Sequence, residues 1–142
     1  MKVSNELICF SYVISKQYRG MIDEIAKQCD MTNAELSVLL YIIQEEKDTA
    51  SEIAAGRCMS KASVSKAVES LYQKEFIVGE PDSADRRVVH LKIQPKAECV
   101  MKMACESKAE LVNRIFQDFS DEEIEFMEHA VRRIIKNLNE NC

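Results

Sequence analysis

The stretch of residues 49–93 constrains the fold more than any other part of the chain, because it contains two helix starts followed by the pattern of a hairpin. Thr49 and Glu52, placed ahead of Ile53, match a capping box, in which each side chain satisfies a free backbone amide of the other residue. A short helix is therefore predicted to begin at Thr49. Ser60 is predicted to cap a second helix, whose apolar residues recur at helical spacing on one side: Val64, Ala67, Val68 and Leu71.

The other side of this second helix carries short polar and basic side chains. At about 100° per residue, that side contains Ala62, Ser65, Lys66, Glu69 and Gln73. Two helices joined by a tight turn, with such side chains on the first turns of the second helix, form the arrangement that enters the major groove of DNA. Lysine and serine on an exposed helix face also occur where the face is merely solvated, so this pattern alone does not decide the function.

A β-hairpin is predicted directly after the second helix. Phe76 to Gly79 is a short apolar run, and residues 88–93 alternate with the period of a half-buried strand, with Val89, Leu91 and Ile93 on one face. The segment EPDSADRR between the two strands contains the turn formers Pro81, Asp82 and Ser83. It places Arg86 and Arg87 at the tip or on its descending edge. Helix, turn, helix and hairpin in this order predict a winged helix-turn-helix.

With these features the chain resembles the MarR family of transcriptional regulators over nearly its whole length. The most specific match is the wing, where Asp85-x-Arg87 followed by Leu91-x-Ile93 is similar to the family pattern D-x-R-x-x-x-L-x-L-T, with Gln94 in place of the closing threonine. The second helix matches as Ser60-x-x-Ser63-Val64-Ser65-Lys66. Directly before it, Arg57 and Cys58 stand where the family often has leucine and glycine.

The resemblance implies which residues contact DNA. The recognition helix of the family reads the major groove, which implies contacts from Lys61, Ser63, Ser65 and Lys66, behind the helix cap Ser60. The wing arginine of the family reaches the minor groove. This implies that Arg87 does so here, held in position by Asp85 and with Arg86 beside it at the tip.

Long helices are predicted on both sides of the winged part, which spans about residues 30–94. One runs from Ser4 to about Gln28. Roughly 22 residues from Pro95 form another, and the last is capped by Ser120 together with Glu123. Within the winged part, Thr32 and Glu35 are predicted to cap one more helix.

The flanking segments, about residues 4–28 and 95–140, carry more apolar surface than a small winged helix can cover. We therefore predict that a second copy buries it and that these helices form a homodimer, as the MarR resemblance also implies. Two recognition helices would then match a pseudo-palindromic operator with half-sites about one DNA turn apart. The alternative is a monomer whose three long helices cap one another. The predicted fold is mainly α with a small β-hairpin wing (α+β), in a single domain of residues 1–142.

The net charge of −5 is unevenly distributed. Residues 57–92 hold seven basic and five acidic side chains, a net charge of +2, so the rest of the chain carries −7. A locally positive reader on an acidic body can bind phosphates, while the field of the body opposes indiscriminate adsorption. We expect modest affinity for double-stranded DNA with a steep salt dependence.

Several classes of protein are disfavoured by the sequence. Polar residues precede any apolar run, and nowhere do about 18 uncharged apolar residues follow one another, so no signal peptide or membrane partner is predicted and the expected location is the cytoplasm. The six cysteines form no C-x-x-C pair, which favours reduced thiols over a disulfide framework or a metal site. His90, predicted as a surface residue of the wing, and His129 are far apart in sequence. Without a phosphate loop or H-E-x-x-H motif, neither an enzyme nor a cofactor is predicted.

Two signals for release from DNA stay open. One is a small aromatic or phenolic effector bound between the dimerisation helices and the winged part, where MarR-family members commonly bind effectors. The other is oxidation of Cys9, because Asn5-Glu6-Leu7 and Cys9-Phe10 resemble, with a one-residue insertion, the segment that carries the sensing cysteine in the organic-hydroperoxide branch of the family. Alternatively, Cys9 is a small buried apolar residue.

The leading prediction is a homodimeric repressor that one of these signals releases from its operator. The alternative is a winged-helix protein-interaction module that does not read DNA, which the negative charge of the whole chain favours.

Overall fold

The computed structural model describes residues 3–45, 47–57 and 59–139, so Cys58 and Cys142 lie outside the described residues. Within them the chain forms six α-helices and one two-stranded antiparallel hairpin, which confirms the predicted fold class. The elements in chain order are α1 (Asn5–Gln28), α2 (Asn33–Glu45), α3 (Ala50–Gly56), α4 (Lys61–Gln73), β1 (Ile77–Pro81), β2 (Val89–Ile93), one turn of 3-10 helix (Pro95–Ala97), α5 (Glu98–Phe116) and α6 (Asp121–Asn139).

The helix caps predicted from the sequence all form. At the start of α2, the Thr32 hydroxyl accepts the Glu35 amide hydrogen at 3.2 Å, and the Glu35 carboxylate accepts the Thr32 amide hydrogen at 3.0 Å. The same reciprocal bonds join Ser120 to Glu123 ahead of α6. Thr49 with Glu52 and Ser60 with Ser63 cap α3 and α4. Each cap satisfies an amide that the helix itself leaves free, and losing one costs about 1 kcal/mol.

The apolar core lies where the helices of the winged part meet α1, the hairpin and the start of α5. Its largest fully buried side chains include Leu36, Leu39, Ile53 and Leu71 from α2, α3 and α4, together with Ile25 and Val100. One charged side chain among the described residues is buried with them, the carboxylate of Glu35, which Lys74 contacts at 2.9 Å. This core holds α4 with its polar side outward.

The hairpin differs in two details from the prediction. Its first strand was expected at Phe76 to Gly79 but runs from Ile77 to Pro81, where Pro81 pairs with Val89. A proline can end this strand because it has no amide hydrogen to pair, and the loop closes instead through the Asp82 amide, which donates to the Val88 carbonyl at 2.9 Å. Val89, predicted to be half-buried with Leu91, is exposed, because it borders an open cavity between the hairpin, α3 and α4.

The contacts within the chain divide it into two units, residues 1–108 and 109–142, with the boundary inside α5. In the second unit, the rings of Phe116 and Phe119 pack edge to face at 5.8 Å. No described residue of α6 is buried, although this helix carries a row of large apolar side chains. No described helix is long and apolar enough to cross a membrane. The expectation of one domain over residues 1–142 stays a prediction.

Candidate nucleic-acid interface

Helix α4 has one fully buried side and one open side. Val64 and Leu71 are 0% exposed, which fixes the rotation of the helix on the core. Four side chains predicted to contact DNA are consequently exposed: Lys61, Ser63, Ser65 and Lys66.

The N-terminus of α4 is prepared for a negatively charged group. The Ser60 side chain accepts the Ser63 amide hydrogen at 3.1 Å and donates its own hydrogen to the Ser63 hydroxyl oxygen at 2.8 Å. The Ser63 hydroxyl therefore keeps its hydrogen available for an outside acceptor. The first amides of the helix, which the cap leaves free, favour an anion such as a phosphate together with the helix dipole.

The wing tip is shaped by two aspartates. One oxygen of Asp82 accepts the amide hydrogens of Ala84 and Asp85 at 2.8 and 2.9 Å. The Asp85 carboxylate then accepts the amide hydrogen of Arg87 at 3.0 Å. Asp85 thus contacts the backbone of Arg87, and within the described residues no ion pair joins the two side chains. The turn leaves Arg86 and Arg87 exposed.

The hairpin approaches α4 closely at Gly79. A methyl group built on Gly79 would overlap the hydroxyl of Tyr72 and lie 2.8 Å from Val89 Cγ1. A side chain at this position would therefore force the Tyr72 or Val89 side chain to move. Burial raises the pKa of Tyr72 above its ordinary value, which keeps its hydroxyl neutral.

The basic residues of the winged part fall into two groups. Lys74 and Lys92 are engaged, with Glu35 at 2.9 Å and with Asp48 at 3.0 Å. In the part of the chain that the structure describes, six others have no ion-pair partner: Lys47, Arg57, Lys61, Lys66, Arg86 and Arg87. Four of these six lie on the open side of α4 and on the wing tip, which therefore carry most of the unpaired positive charge.

One contact at the wing was missed by the sequence prediction. His90, expected as a plain surface residue, is half-buried between two carboxylates, with Nδ1 2.6 Å from Asp48 and Nε2 3.0 Å from Asp82. Hydrogen bonding to Asp48 and then to Asp82 raises the pKa of His90. The hydrogen bond from His90, with those from two backbone amides, lowers the pKa of Asp82 to about 2. Burial opposes the shift at Asp48, but hydrogen bonds from His90 and Lys92 still lower its pKa.

A cavity of about 320 Å³ lies between α1, α2 and Arg57 at the end of α3, in the region between the flanking helices and the winged part where an effector was expected. Two arginines line it, Arg57 and Arg19, beside Tyr18 and a floor of Ile22 and Leu40. Asp23, also at its wall, accepts a hydrogen bond from Asn33 at 2.5 Å.

Arg57 holds an unusual position in this cavity. Its guanidinium lies 5.2 Å from the centre of the Tyr41 ring, a cation–π contact. Its Nε is buried, and the structure gives it no hydrogen-bond partner. A buried donor without a partner is costly.

The cysteines show no arrangement of ligands or disulfides within the described residues. Cys9 is exposed in the single chain, on the helix α1 that the predicted homodimer would cover, so both interpretations of Cys9 stay predictions. Burial raises the pKa of Cys29, and the nearby Cys99 thiol adds to this shift. No group of three or more histidine, cysteine or acidic side chains lies close enough to hold a metal ion in the described ranges.

Comparison with known proteins gives consistent results for sequence and fold. The sequence profile of the MarR family matches residues 30–88. The transcriptional regulator AdcR of Streptococcus pyogenes serotype M6 is 26% identical over 111 residues, covering 76% of this chain and 75% of AdcR.

Two solved structures illustrate the similarity in fold. The MarR protein of Peptoclostridium difficile DA00132 superposes with a TM-score of 0.77 at 18% identity, over 99% of this chain and 94% of that one. MepR of S. aureus, solved as a complex with DNA, superposes with a TM-score of 0.62 at 21% identity, over 89% of this chain and 96% of that one. The chain therefore has the winged-helix fold of these proteins.

Proposed function

The chain belongs to the MarR family of winged-helix transcriptional regulators, and from this premise we propose that it is a sequence-specific, homodimeric repressor that a chemical signal releases from its operator. The observation that carries the proposal is the set of unpaired cations on the open side of α4 and on the wing tip. A solved relative in fold, MepR, carries DNA in its crystal structure.

In this proposal the two elements read DNA differently. Helix α4 enters the major groove, where Lys61, Ser63 and Ser65 approach base edges and Lys66 meets a phosphate. The wing follows the backbone to the adjacent minor groove, into which Arg87 inserts its side chain while Arg86 stays at the phosphates. Asp85 contributes by fixing the chain direction at Arg87.

The homodimer is supported by the apolar surface that one chain leaves open. Helix α6 exposes Val131, Ile134, Ile135 and Leu138 on one side, and α1 exposes Leu7 and Ile8. Neighbouring large apolar side chains that are exposed on one side of a helix mark interaction surfaces. A two-fold dimer through both ends of the chain would bury them and present two α4 helices to one face of the DNA.

A salt titration separates this function from the protein-interaction alternative. Fluorescence anisotropy with a labelled random duplex should give an affinity that falls steeply with salt, because phosphate contacts release counterions. Selection of bound sequences from a random library should then return a pseudo-palindrome. A chain that binds no duplex at low salt would support the interaction module instead.

Arg87→Ala is expected to weaken binding to the selected operator by about 1 to 3 kcal/mol, as the loss of an arginine from a groove contact does. The side chain is exposed and unpaired, so the variant should keep the unfolding midpoint of the wild-type protein. Anisotropy and thermal unfolding on the same samples provide the two measurements. A folded variant with unchanged affinity would remove the wing from DNA recognition.

Lys66→Ala is the matched comparison on α4. Because Lys66 is placed to meet a phosphate, its loss should weaken operator and random duplex alike and reduce the slope of log affinity against log salt by about one. A change in sequence preference would instead assign Lys66 to a base.

The signal proposed for release is a small aromatic carboxylate bound in the cavity at Arg57. The volume of about 320 Å³ is at the lower end of the range for small-ligand sites. The carboxylate would accept hydrogen bonds from the Arg57 side chain at the cavity wall, and the ring would lie against Ile22 and Leu40. Arg57 is the last residue before the turn into α4, so a ligand that moves it would act on the recognition helix.

Arg57→Gln is expected to raise by about tenfold the concentration of a benzoate-type carboxylate that releases the operator, the loss expected for one charge-assisted hydrogen bond. Cys9→Ser is the comparison, tested with an organic hydroperoxide. If the hydroperoxide releases the wild-type protein but not Cys9→Ser, thiol oxidation at Cys9 is the signal. If the carboxylate releases Arg57→Gln and the wild type at the same concentration, Arg57 does not bind the effector. If the hydroperoxide releases Cys9→Ser and the wild type equally, Cys9 is not the sensor.

A further inference from the structure

The side chain of His90 joins two segments that are far apart in the sequence. Its Nδ1 lies 2.6 Å from one oxygen of Asp48, between α2 and α3, and its Nε2 lies 3.0 Å from one oxygen of Asp82, in the wing. The Asp48 carbonyl also accepts the Leu91 amide hydrogen at 2.7 Å, so the backbone of β2 is attached to the same segment.

This geometry requires a particular protonation state of the imidazole. A neutral imidazole has one N–H and one bare nitrogen, so it can donate to only one of two carboxylates. The bare nitrogen would face the lone pairs of the other carboxylate. Only the imidazolium donates at both positions, and its charge is then balanced by Asp48 and Asp82.

The charged groups around His90 favour the imidazolium as a whole. Lys92 contacts the second oxygen of Asp48 at 3.0 Å and partly neutralises the negative charge of that carboxylate. Glu80 is directly opposite His90 in the β-ladder and adds a further negative charge on the hairpin. Of the charged groups that face the imidazole, three are therefore acidic and one is basic.

The carboxylate at the far end of this bridge also organises the wing tip. The second oxygen of Asp82 accepts the Ala84 and Asp85 amide hydrogens, and Asp85 in turn accepts the Arg87 amide hydrogen. A chain of hydrogen bonds therefore runs from Asp48 through His90 and Asp82 to the backbone of Arg87.

We propose that the protonated side chain of His90 is a positioning residue for DNA recognition: it clamps the wing to the α2–α3 junction through Asp48 and Asp82, so that DNA affinity falls when His90 loses its proton. The inference rests on the proposed DNA-binding function and adds to it a dependence on pH. His90 itself does not need to touch DNA.

The direction of the pH effect follows from the contacts. The pKa of His90 is raised, chiefly by Asp48 and then by Asp82, so the clamp is complete below the ordinary imidazole value of about 6.5 and is lost as pH rises through the higher value of the folded protein. The remaining proton should stay at the shorter contact, on Nδ1 towards Asp48. The contact from Nε2 to Asp82 is then the one that opens.

His90→Gln tests the proposal, with His129→Gln as the matched control. Glutamine keeps a hydrogen-bonding side chain but does not titrate, and His129, the other histidine of the chain, is exposed on α6 and is not one of the clamp residues. Operator affinity of the wild type and of His129→Gln should fall by about twofold to fivefold between pH 6 and pH 8.5, the size expected for a partly exposed ion pair. His90→Gln should be weaker at pH 6 and nearly independent of pH.

NMR titration of the free protein separates this inference from the proposed function. The His90 imidazole signal and the amide signals of Ala84 and Asp85 should titrate together, with a midpoint above 6.5 that Asp82→Asn lowers. A His90 signal that titrates at or below 6.5, or wing amides that do not follow it, would overturn the clamp whether or not DNA is bound. An operator affinity with the same pH dependence in His90→Gln and wild type would overturn its role in DNA recognition, whereas failure of every variant to bind DNA would overturn the proposed function itself.

Discussion

Ile134→Asp is expected to dissociate the proposed homodimer into single chains or to leave the protein insoluble. Ile134 is 48% exposed in one chain, within the apolar row of α6. In a two-fold dimer the substitution places two carboxylates in the buried interface, and each uncompensated charge costs several kcal/mol. Light scattering coupled to size-exclusion chromatography measures the result. Leu138→Asp, at a position 65% exposed in one chain, should behave in the same way.

His129→Asp provides the control on the same helix. At about 100° per residue, His129 is on the opposite side of α6 from the apolar row, and it is exposed. This variant adds a carboxylate without placing it in the interface, so it should keep the mass and the operator affinity of the wild type. If Ile134→Asp and Leu138→Asp also keep the dimer mass, the interface lies elsewhere, and the alternative of a monomer with its own helical cap gains support.

Local sequence patterns predicted most of the secondary structure correctly. A capping box depends on residues three positions apart, and an apolar stripe depends on helical spacing, so both can be read without knowing the tertiary fold. Thr32, Thr49, Ser60 and Ser120 accordingly start helices where expected. The buried side of α4 was predicted for the same reason, and with it the exposed side that carries Lys61 and Lys66.

The boundaries of the hairpin were predicted less accurately than the helix starts. Proline is a common turn former, which suggested that Pro81 belongs to the loop. The strand reaches Pro81 because the Asp82 side chain closes the turn one residue later. The composition of the turn alone does not predict this use of Asp82, because the same segment contains three further polar side chains that could accept the amide hydrogens.

Contacts between distant segments were not predictable from the sequence. Asp48 and His90 are 42 residues apart, and neither residue type signals a partner at that distance. Arg57 was noted only as a departure from the family pattern, while its buried Nε and the adjacent cavity arise from the packing of α1, α2 and α3. The residues predicted to contact DNA are exposed, whereas their role in binding DNA stays a prediction.

The ion pair between Glu35 and Lys74 is another such contact, because it joins the first turn of α2 to the residue that ends α4. The Lys74 ammonium lies 2.9 Å from the Glu35 carboxylate and also donates to the Asp30 carbonyl at 2.8 Å. Burial alone would raise the pKa of Glu35, but hydrogen bonds, chiefly from Lys74, outweigh it and hold the pKa below its ordinary value. The pair therefore keeps a carboxylate ionised in a position that is almost closed to water.

Lys74→Met is expected to lower the free energy of unfolding by about 2 to 4 kcal/mol at neutral pH, since it leaves the buried Glu35 carboxylate without its main partner. The estimate is below that for a fully buried pair, because the Lys74 side chain is 34% exposed. For a chain of this size the loss corresponds to about 5 to 15 °C in melting temperature. Chemical denaturation at one fixed protein concentration is the suitable measurement, because a dimer's stability depends on concentration.

A second lysine variant and a change of pH test the role of the Glu35–Lys74 pair. Lys102→Met removes a lysine whose contact with Glu106 is long, at 3.8 Å, and largely exposed, so it should cost no more than about 0.5 kcal/mol. Lowering the pH should then narrow the gap between wild type and Lys74→Met. The wild-type pair loses its contribution as Glu35 is protonated below its ordinary pKa, whereas the variant gains when its unpartnered carboxylate becomes neutral. A Lys74→Met protein as stable as Lys102→Met at neutral pH would mean that the buried pair contributes no net stability and that packing alone holds α2 against α4.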